Sequence, residues 1–511
     1  MNSKSGLSRS DIRCALLCTA VFSMLAHGYR YLSLSFSGDA MLLSQVGEEA
    51  YQISLGRFLQ PVYWQIRGYI TAPLLIGLFA TAFLMGSALI VVSLLRLHRP
   101  LHIALACGVL TANETLAVSN ATYLPWTDVY MLALLLSLMG VYAFIRLRRG
   151  FLLSPLLFCL SLGLYQSYLP AASTMMILLL LLDTLDGKRV GDVWKRGLLA
   201  CASLLLGLLL YAGVLKLILA VTGGQASQDY NGVGRVGLIS LEQLPSLLWS
   251  TFRMPLDLLF STSDVPAMTW HITTVPAALN RLIFGLAGVL MLLHARGLRP
   301  SGWLTAAFLL LVLPLGMNFV QFVSGGIASG LTIYAYNLAY LLPIALLSRV
   351  RQKQPAPVMR LIGGGTAVLV SAFLALNIRN ANAMALKRDV EFSATTAAMA
   401  RLLHQAERTE GYIPGETPVV LLGMLPSSAV AMERPGFEDL ARAQGMRYTY
   451  GASYETGNYW YLTMALGEPI RLVSHEERIR LSARPEAADI PAFPASGCCR
   501  MIDGHLYIRI N

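Results

Sequence analysis

Residues 1–378 alternate long apolar runs with short polar stretches. Most are roughly 17 to 22 residues long, enough to cross about 30 Å of hydrocarbon as a helix. The pattern predicts eleven spans, at 14–34, 73–95, 101–118, 126–145, 151–165, 169–184, 198–221, 277–295, 302–322, 329–348 and 361–377. The expected fold is a polytopic α-helical membrane protein, 1–378, with long loops at 35–72 and 222–276. After Asn377 the pattern changes. Helical spacing over 384–409 and around 437–445, a short apolar run at Val419–Gly423 and an alternating end at His505–Ile510 predict a small α/β domain over 379–511. The alternation of that last segment is of the kind found in edge strands.

Charge orients the spans, because short cytoplasmic loops collect Lys and Arg. Six segments, around Lys4–Arg13, Arg96–Arg99, Arg146–Arg149, Lys188–Arg196, Arg296–Arg299 and Arg349–Arg360, hold eighteen basic residues. The stretches between them hold seven: Arg30, Arg57, Arg67, Lys216, Arg235, Arg253 and Arg281. The amino terminus is therefore expected in the cytoplasm. The basic loops at Arg149 and Lys188 must share a side, so 151–184 crosses twice, turning at Tyr165-Gln166-Ser167 and Pro170. An odd number of spans places the tail outside, in the periplasm if the host is bacterial.

Composition agrees with the membrane class: 55% of the 511 residues are hydrophobic and 13% charged, with a mean hydropathy of +0.58. The formal charge of +11 is a topology signal, since residues 1–378 carry 25 basic and 13 acidic groups while the tail carries 14 and 15. Split among short loops without interleaved aromatics, it does not describe a nucleic-acid surface. Cys14, Cys18, Cys107, Cys159 and Cys201 lie in or beside spans and read as small apolar fillers. Adjacent Cys498 and Cys499 pair only through a strained ring, so a structural disulfide is not expected. The eight histidines make no metal-ligand spacing, and no cofactor is called for.

The remaining chemistry lies in polar residues near the outer ends of spans. Asp39, in Phe36-Ser-Gly-Asp-Ala40, follows the first span and opens a loop continuing through Glu48-Glu49 and Gly56-Arg57-Phe58 to Arg67-Gly68. Glu114 lies within the third span, where a carboxylate must be paired or wet. Asp128 begins the fourth, where the helix dipole or a nearby arginine would equally explain it. Loop 222–276 is Gly- and Ser-rich near Gly223–Gly234 and carries Trp249, Trp270 and His271. It reads as a loop that closes over or guides a substrate, or as an interfacial helix anchored by tryptophans.

In this order, Asp39, Gly56-Arg57-Phe58-Leu59, Tyr123-Leu-Pro-Trp-Thr-Asp128-Val-Tyr-Met-Leu-Ala and Gly163-Leu-Tyr-Gln166 resemble the GtrII-type glucosyltransferases that decorate O-antigen and related surface polysaccharides. These resemble the wider GT-C class of membrane glycosyltransferases, in which an acid of the first outer loop serves the reaction. By that resemblance Asp39 matches one member of an Asp-Asp pair, Arg57 the arginine of a Gly-Arg element, and Asp128 the acid of the fourth-span motif. Here the pair is reduced to Gly38-Asp39-Ala40, which weakens any claim for a divalent metal held by paired carboxylates. Asp39 then works alone or with Asp128, and whether it is the aligned base or its neighbour stays open. The resemblance also implies a lipopolysaccharide or related surface-glycan acceptor, and a donor made and flipped by separate partners, a polyprenyl-phosphate glucosyl synthase and a small flippase.

A polyprenyl-phosphate sugar presents its anomeric carbon at the membrane surface with phosphate as the leaving group. Transfer needs a base for the acceptor hydroxyl and a cation for the departing phosphate. Asp39 is the expected base and Arg57 the expected phosphate ligand, with Arg67, Lys216, Arg235 and Arg281 as substitutes. Glu114, Asp128, Tyr123, Tyr165 and Gln166 would line the sugar pocket, and a single displacement would invert the anomeric centre. Two other classes fit the topology: a glycan polymerase or ligase, expected to carry more outer arginines, and a lipid flippase or transporter, expected to show inverted repeats.

Overall fold

The computed structural model describes residues 6–35, 44–227, 242–261, 276–319, 322, 330–353, 357–423, 425, 462–463 and 466–511, with 350–353 and 357–360 as backbone alone. Asp39, Arg235, Trp270, His271 and the helix expected at 437–445 lie outside the described residues. The chain divides into two compact units. The first comprises Met1–Tyr31, Gln45–Asn120 and Trp126–Asn382; the second comprises Leu32–Ser44, Ala121–Pro125 and Ala383–Asn511.

The first unit is helical: α1 (Arg9–Leu32), α2 (Glu49–Ser54), α3 (Gln60–Arg67), α4 (Pro73–Leu95), α5 (Pro100–Thr111), α6 (Glu114–Thr122), α7 (Thr127–Arg146), α8 (Gly150–Leu164), α9 (Leu169–Leu185), α10 (Val190–Thr222), α11 (Leu244–Phe260), α12 (Ala277–Ala295), α13 (Pro300–Met317), α14 (Tyr334–Asn337), α15 (Leu341–Lys353) and the start of α16 (Pro357–Glu407). Among the described residues eight helices are long and apolar enough to cross a membrane, or nine if bent α5–α6 is one span. The eleven expected spans differ in three places. Helix α8 is apolar but has only 15 residues. The 329–348 span is broken into α14, a 3-10 turn and α15. The third span bends by 40° at Ala112-Asn113, where the Asn113 amide donates to the carbonyls of Val109 and Leu110 and its Oδ1 accepts from Leu116 N–H at 3.0 Å, ending one helix and starting the next.

Small residues set the close packing, as expected where lipid supplies no hydrophobic drive between helices. A Cβ on Gly140 of α7 would lie 2.3 Å from the Phe158 ring of α8, and Ser161 and Ser137 donate across helices to the carbonyls of Ala133 and Tyr168 at 2.7 and 2.8 Å. At the other helix ends Asp186 accepts from His294 Nε2 at 3.1 Å and Arg349 Nε at 3.3 Å, and Asp183 accepts from Lys188 and Arg196. Helix α11 keeps Trp249 at 60% exposure and carries Arg253, paired with Asp257 at 2.8 Å, which is the amphipathic pattern of an interfacial helix.

Helix α16 is one continuous 51-residue helix where a span at 361–377 and a separate helix at 384–409 were expected. Ile378–Ala383 contains neither Gly nor Pro, and Asn377 and Asn382 turn their amides onto the carbonyls of Phe373 and Ile378, so nothing interrupts it. In the second unit its Lys387 and Glu391 side chains are buried 3.7 Å apart, and Ser33 donates to Asp389 at 2.7 Å. Four strands, β1 (Pro418–Leu422), β2 (Arg471–Leu472), β3 (Cys499–Ile502) and β4 (His505–Arg509), form a sheet in the order β2-β1-β4-β3, with β1 parallel to β2 and β4 and β3 antiparallel to β4. The last strand is thus interior and not an edge: Leu506, Tyr507 and Ile508 are all buried, because apolar side chains cover both faces. Cys498 and Cys499 are buried as free thiols, their sulfurs 3.8 Å apart.

Candidate active site

The segment from Gln45 to Gly68 makes the site of the first unit. Helix α3 is amphipathic with its polar side inward: Gln60, Tyr63 and Arg67 share a buried face at i, i+3 and i+7, while Val62 and Ile66 are 49% and 79% exposed. Arg67 Nη1 lies 2.7 Å from Asp128 Oδ1, with both side chains fully buried. Tyr63 donates to Asp128 Oδ2 at 2.8 Å, and Val129 N–H to Oδ1 at 2.9 Å. The second guanidinium nitrogen of Arg67 donates to Gln45 Oε1 at 2.9 Å, and Gln45 in turn donates to Thr71 at 2.6 Å. Burial, and next the Asp128 charge, push the Tyr63 phenol far above its ordinary value and keep it a donor. Asp128 and Arg67 therefore hold each other, tying α3 to the start of α7.

A second cluster sits on the same helices. Gly56 has φ +81°, so the backbone reverses there between α2 and α3. The half-buried Arg57 donates to Gln52 Oε1 at 3.1 Å, and its guanidinium lies over the Tyr165 ring, 4.9 Å from the centroid. Tyr165 ends α8 and stacks on Tyr130 of α7 at 4.3 Å. Gln166 donates to Leu55 O at 2.8 Å, Leu59 N–H to Gly163 O at 2.9 Å, and Gln60 to Leu164 O at 2.8 Å. Gly56-Arg57-Phe58 and Gly163-Leu-Tyr-Gln166, more than a hundred residues apart in sequence, thus lie side by side. Tyr130 follows Asp128 by two residues and joins the two clusters through α7.

Glu114 is buried in the first turn of α6, where the helix dipole favours a carboxylate, and interacts electrostatically with Tyr340, whose hydroxyl donates to Asn280 Oδ1 at 2.6 Å. Tyr123 belongs to the second unit. Lys216 is exposed on α10, and Arg281 donates to the Phe260 carbonyl at 2.7 Å. Gln45, Tyr63, Tyr130 and Tyr211 escaped the sequence reading. The polar i, i+3, i+7 face of α3 was a usable signal for Tyr63; a lone tyrosine in the Leu-rich run of α10 gave none.

A family model described as Glucosyl transferase GtrII matches residues 36–345, a range that contains Asp39 and both clusters. No curated protein matches the chain, and no solved structure matches it.

Proposed function

The chain belongs to the GtrII glucosyl transferase family, and from that premise we propose that it moves glucose from a polyprenyl-phosphate donor to a lipopolysaccharide O-antigen or related surface glycan. The reaction takes place on the periplasmic face of the bacterial inner membrane, with the amino terminus in the cytoplasm and residues 379–511 in the periplasm. The skew of basic residues between alternate loops supports this orientation. No nucleotide sugar is available on that face, which favours a lipid-linked donor supplied by a separate synthase and a small flippase.

The observation that carries the reading is the placement of Arg57 over the Tyr165 ring, with the neighbouring Gln166 bonded to the Leu55 carbonyl two residues before it. A guanidinium over an aromatic face suits a sugar phosphate: it can hold two phosphate oxygens as the bond to the anomeric carbon breaks, while ring faces and an amide orient the hexose. Asp39, in the loop leading to this site, takes the proton of the acceptor hydroxyl, and the single displacement inverts the anomeric centre. Asp128 supports α3 through Arg67 and is not needed as a base. The test is Asp39→Asn in membranes supplied with polyprenyl-phosphate glucose. Transfer is expected to disappear while insertion and expression remain, and full transfer by the variant removes Asp39 as the base. Surface polysaccharide from a deletion strain should lack one side-branch sugar; shortened chains would indicate a polymerase instead.

A further inference from the structure

We infer that Tyr211, on α10, is a positioning residue for Arg57, an inference that rests on the phosphate-binding role proposed above. Tyr211 lies in a Leu-rich run and is otherwise an ordinary membrane tyrosine. Its hydroxyl, however, donates to Gly56 O at 3.1 Å and accepts from Gln166 Nε2 at 2.9 Å, while the same Gln166 nitrogen donates to Leu55 O at 2.8 Å. The Tyr211 ring stacks on Phe58 at 5.8 Å. The residues on both sides of Arg57 are therefore gripped by one tyrosine, through its hydroxyl at Gly56 and its ring at Phe58.

The fit leaves no slack at the turn. A Cβ built on Gly56 would sit 2.1 Å from the Tyr211 hydroxyl and 2.7 Å from Gln166 Nε2, so the absence of a side chain at Gly56 lets the hydroxyl reach the backbone. Downstream, Ser227 N–H donates to Ser54 O at 2.9 Å, so the chain leaving α10 is also tied to α2. Helix α10 and the chain that leaves it thus hold the 54–58 segment at two points. Tyr211 touches neither donor nor acceptor in this account; it fixes the backbone from which the guanidinium projects. A displacement of about 1 Å in a phosphate ligand can reduce turnover about a hundredfold.

The test compares wild type, Tyr211→Phe, Arg57→Lys and the double variant as full-length protein in nanodiscs, with polyprenyl-phosphate glucose as donor. Losing the hydroxyl is expected to lower kcat about tenfold with little change in donor KM. Arg57→Lys should lower kcat similarly, because an ammonium cannot hold two phosphate oxygens in a fixed fork. If Tyr211 acts through Arg57, the double variant falls no further than Arg57→Lys alone. Losses that multiply to about a hundredfold would overturn the inference, as would Tyr211→Phe turning over at the wild-type rate. Hydrogen exchange over residues 55–59 checks the clamp without any substrate: it should quicken in Tyr211→Phe with the rest of the protein unchanged, and unchanged exchange there would overturn it too. Faster exchange together with no transfer by wild type would sink the lipid-phosphate donor and leave the clamp standing.

Discussion

Truncating Asp128 to alanine separates an architectural carboxylate from a catalytic one. Both partners of the Arg67–Asp128 pair are fully buried and 2.7 Å apart, so the variant takes from Arg67 this buried counter-charge and from the Tyr63 hydroxyl its acceptor. Breaking one side of such a pair costs about 3–5 kcal/mol, and the stranded hydroxyl adds about 1–3 kcal/mol. Replacing both partners, with Arg67→Met and Asp128→Leu, removes the charges together and leaves the stranded Tyr63 hydroxyl as the main cost, so the double variant is expected to lose no more than about 1–3 kcal/mol. Unfolding by SDS titration in mixed micelles measures the stabilities, and hexose transfer is measured on the same preparations. An Asp128→Ala variant within about 1 kcal/mol of wild type, or a double variant as unstable as the single one, refutes the argument. A double variant that is stable yet inactive would return Asp128 to the chemistry.

Two further outcomes follow from local geometry. Gly56→Ala should destabilise the protein by more than about 1 kcal/mol, since it places a side chain at φ +81° and drives a Cβ into the Tyr211 hydroxyl; an unchanged SDS midpoint would contradict this. At Asp186, burial raises the carboxyl, but hydrogen bonding to His294 and the charge of Arg349 outweigh it, and the net direction is downward. A folded value below the unfolded one means the stabilisation is fully present above the unfolded value, about 3.9, and is lost as pH falls through the folded value. The stability difference between wild type and Asp186→Asn should therefore shrink as pH falls below about 4. A difference independent of pH down to 3 would show that the pairing does not govern it.

The membrane class was legible because about twenty apolar residues in a row have few other uses. Breaks inside the spans were less so. Asn113 interrupts a helix only because its side chain can satisfy Val109, Leu110 and Leu116 at once, whereas Asn377 and Asn382 sit in an unbroken helix and bond to the preceding turn. Residue type was the same and tertiary context decided. For the same reason alternation in His505–Ile510 suggested an edge strand, while β1 and β3 flank β4 on both sides. Within the site, the Gly-Arg and Gly-Leu-Tyr-Gln elements were each visible, but their adjacency depends on main-chain bonds such as Leu59 N–H to Gly163 O, which any residue types can make.

The pairing of Arg67 also bears on which arginine meets the phosphate. Both were candidates from sequence, being on the same loop and of the same charge. For Arg67 to turn to a substrate it must leave Asp128, exposing a fully buried carboxylate to a loss of several kcal/mol that a phosphate contact near the surface does not return. Arg57 is half-buried, and its guanidinium lies on a tyrosine face whose attraction for a cation survives the approach of an anion from the other side. Two arginines ten positions apart in sequence thus sit in different surroundings, because one lies on the inward polar face of α3 and the other on the turn that Gly56 permits. Arg67 ties α3 to the start of α7 through Asp128, which leaves the phosphate role proposed above to Arg57.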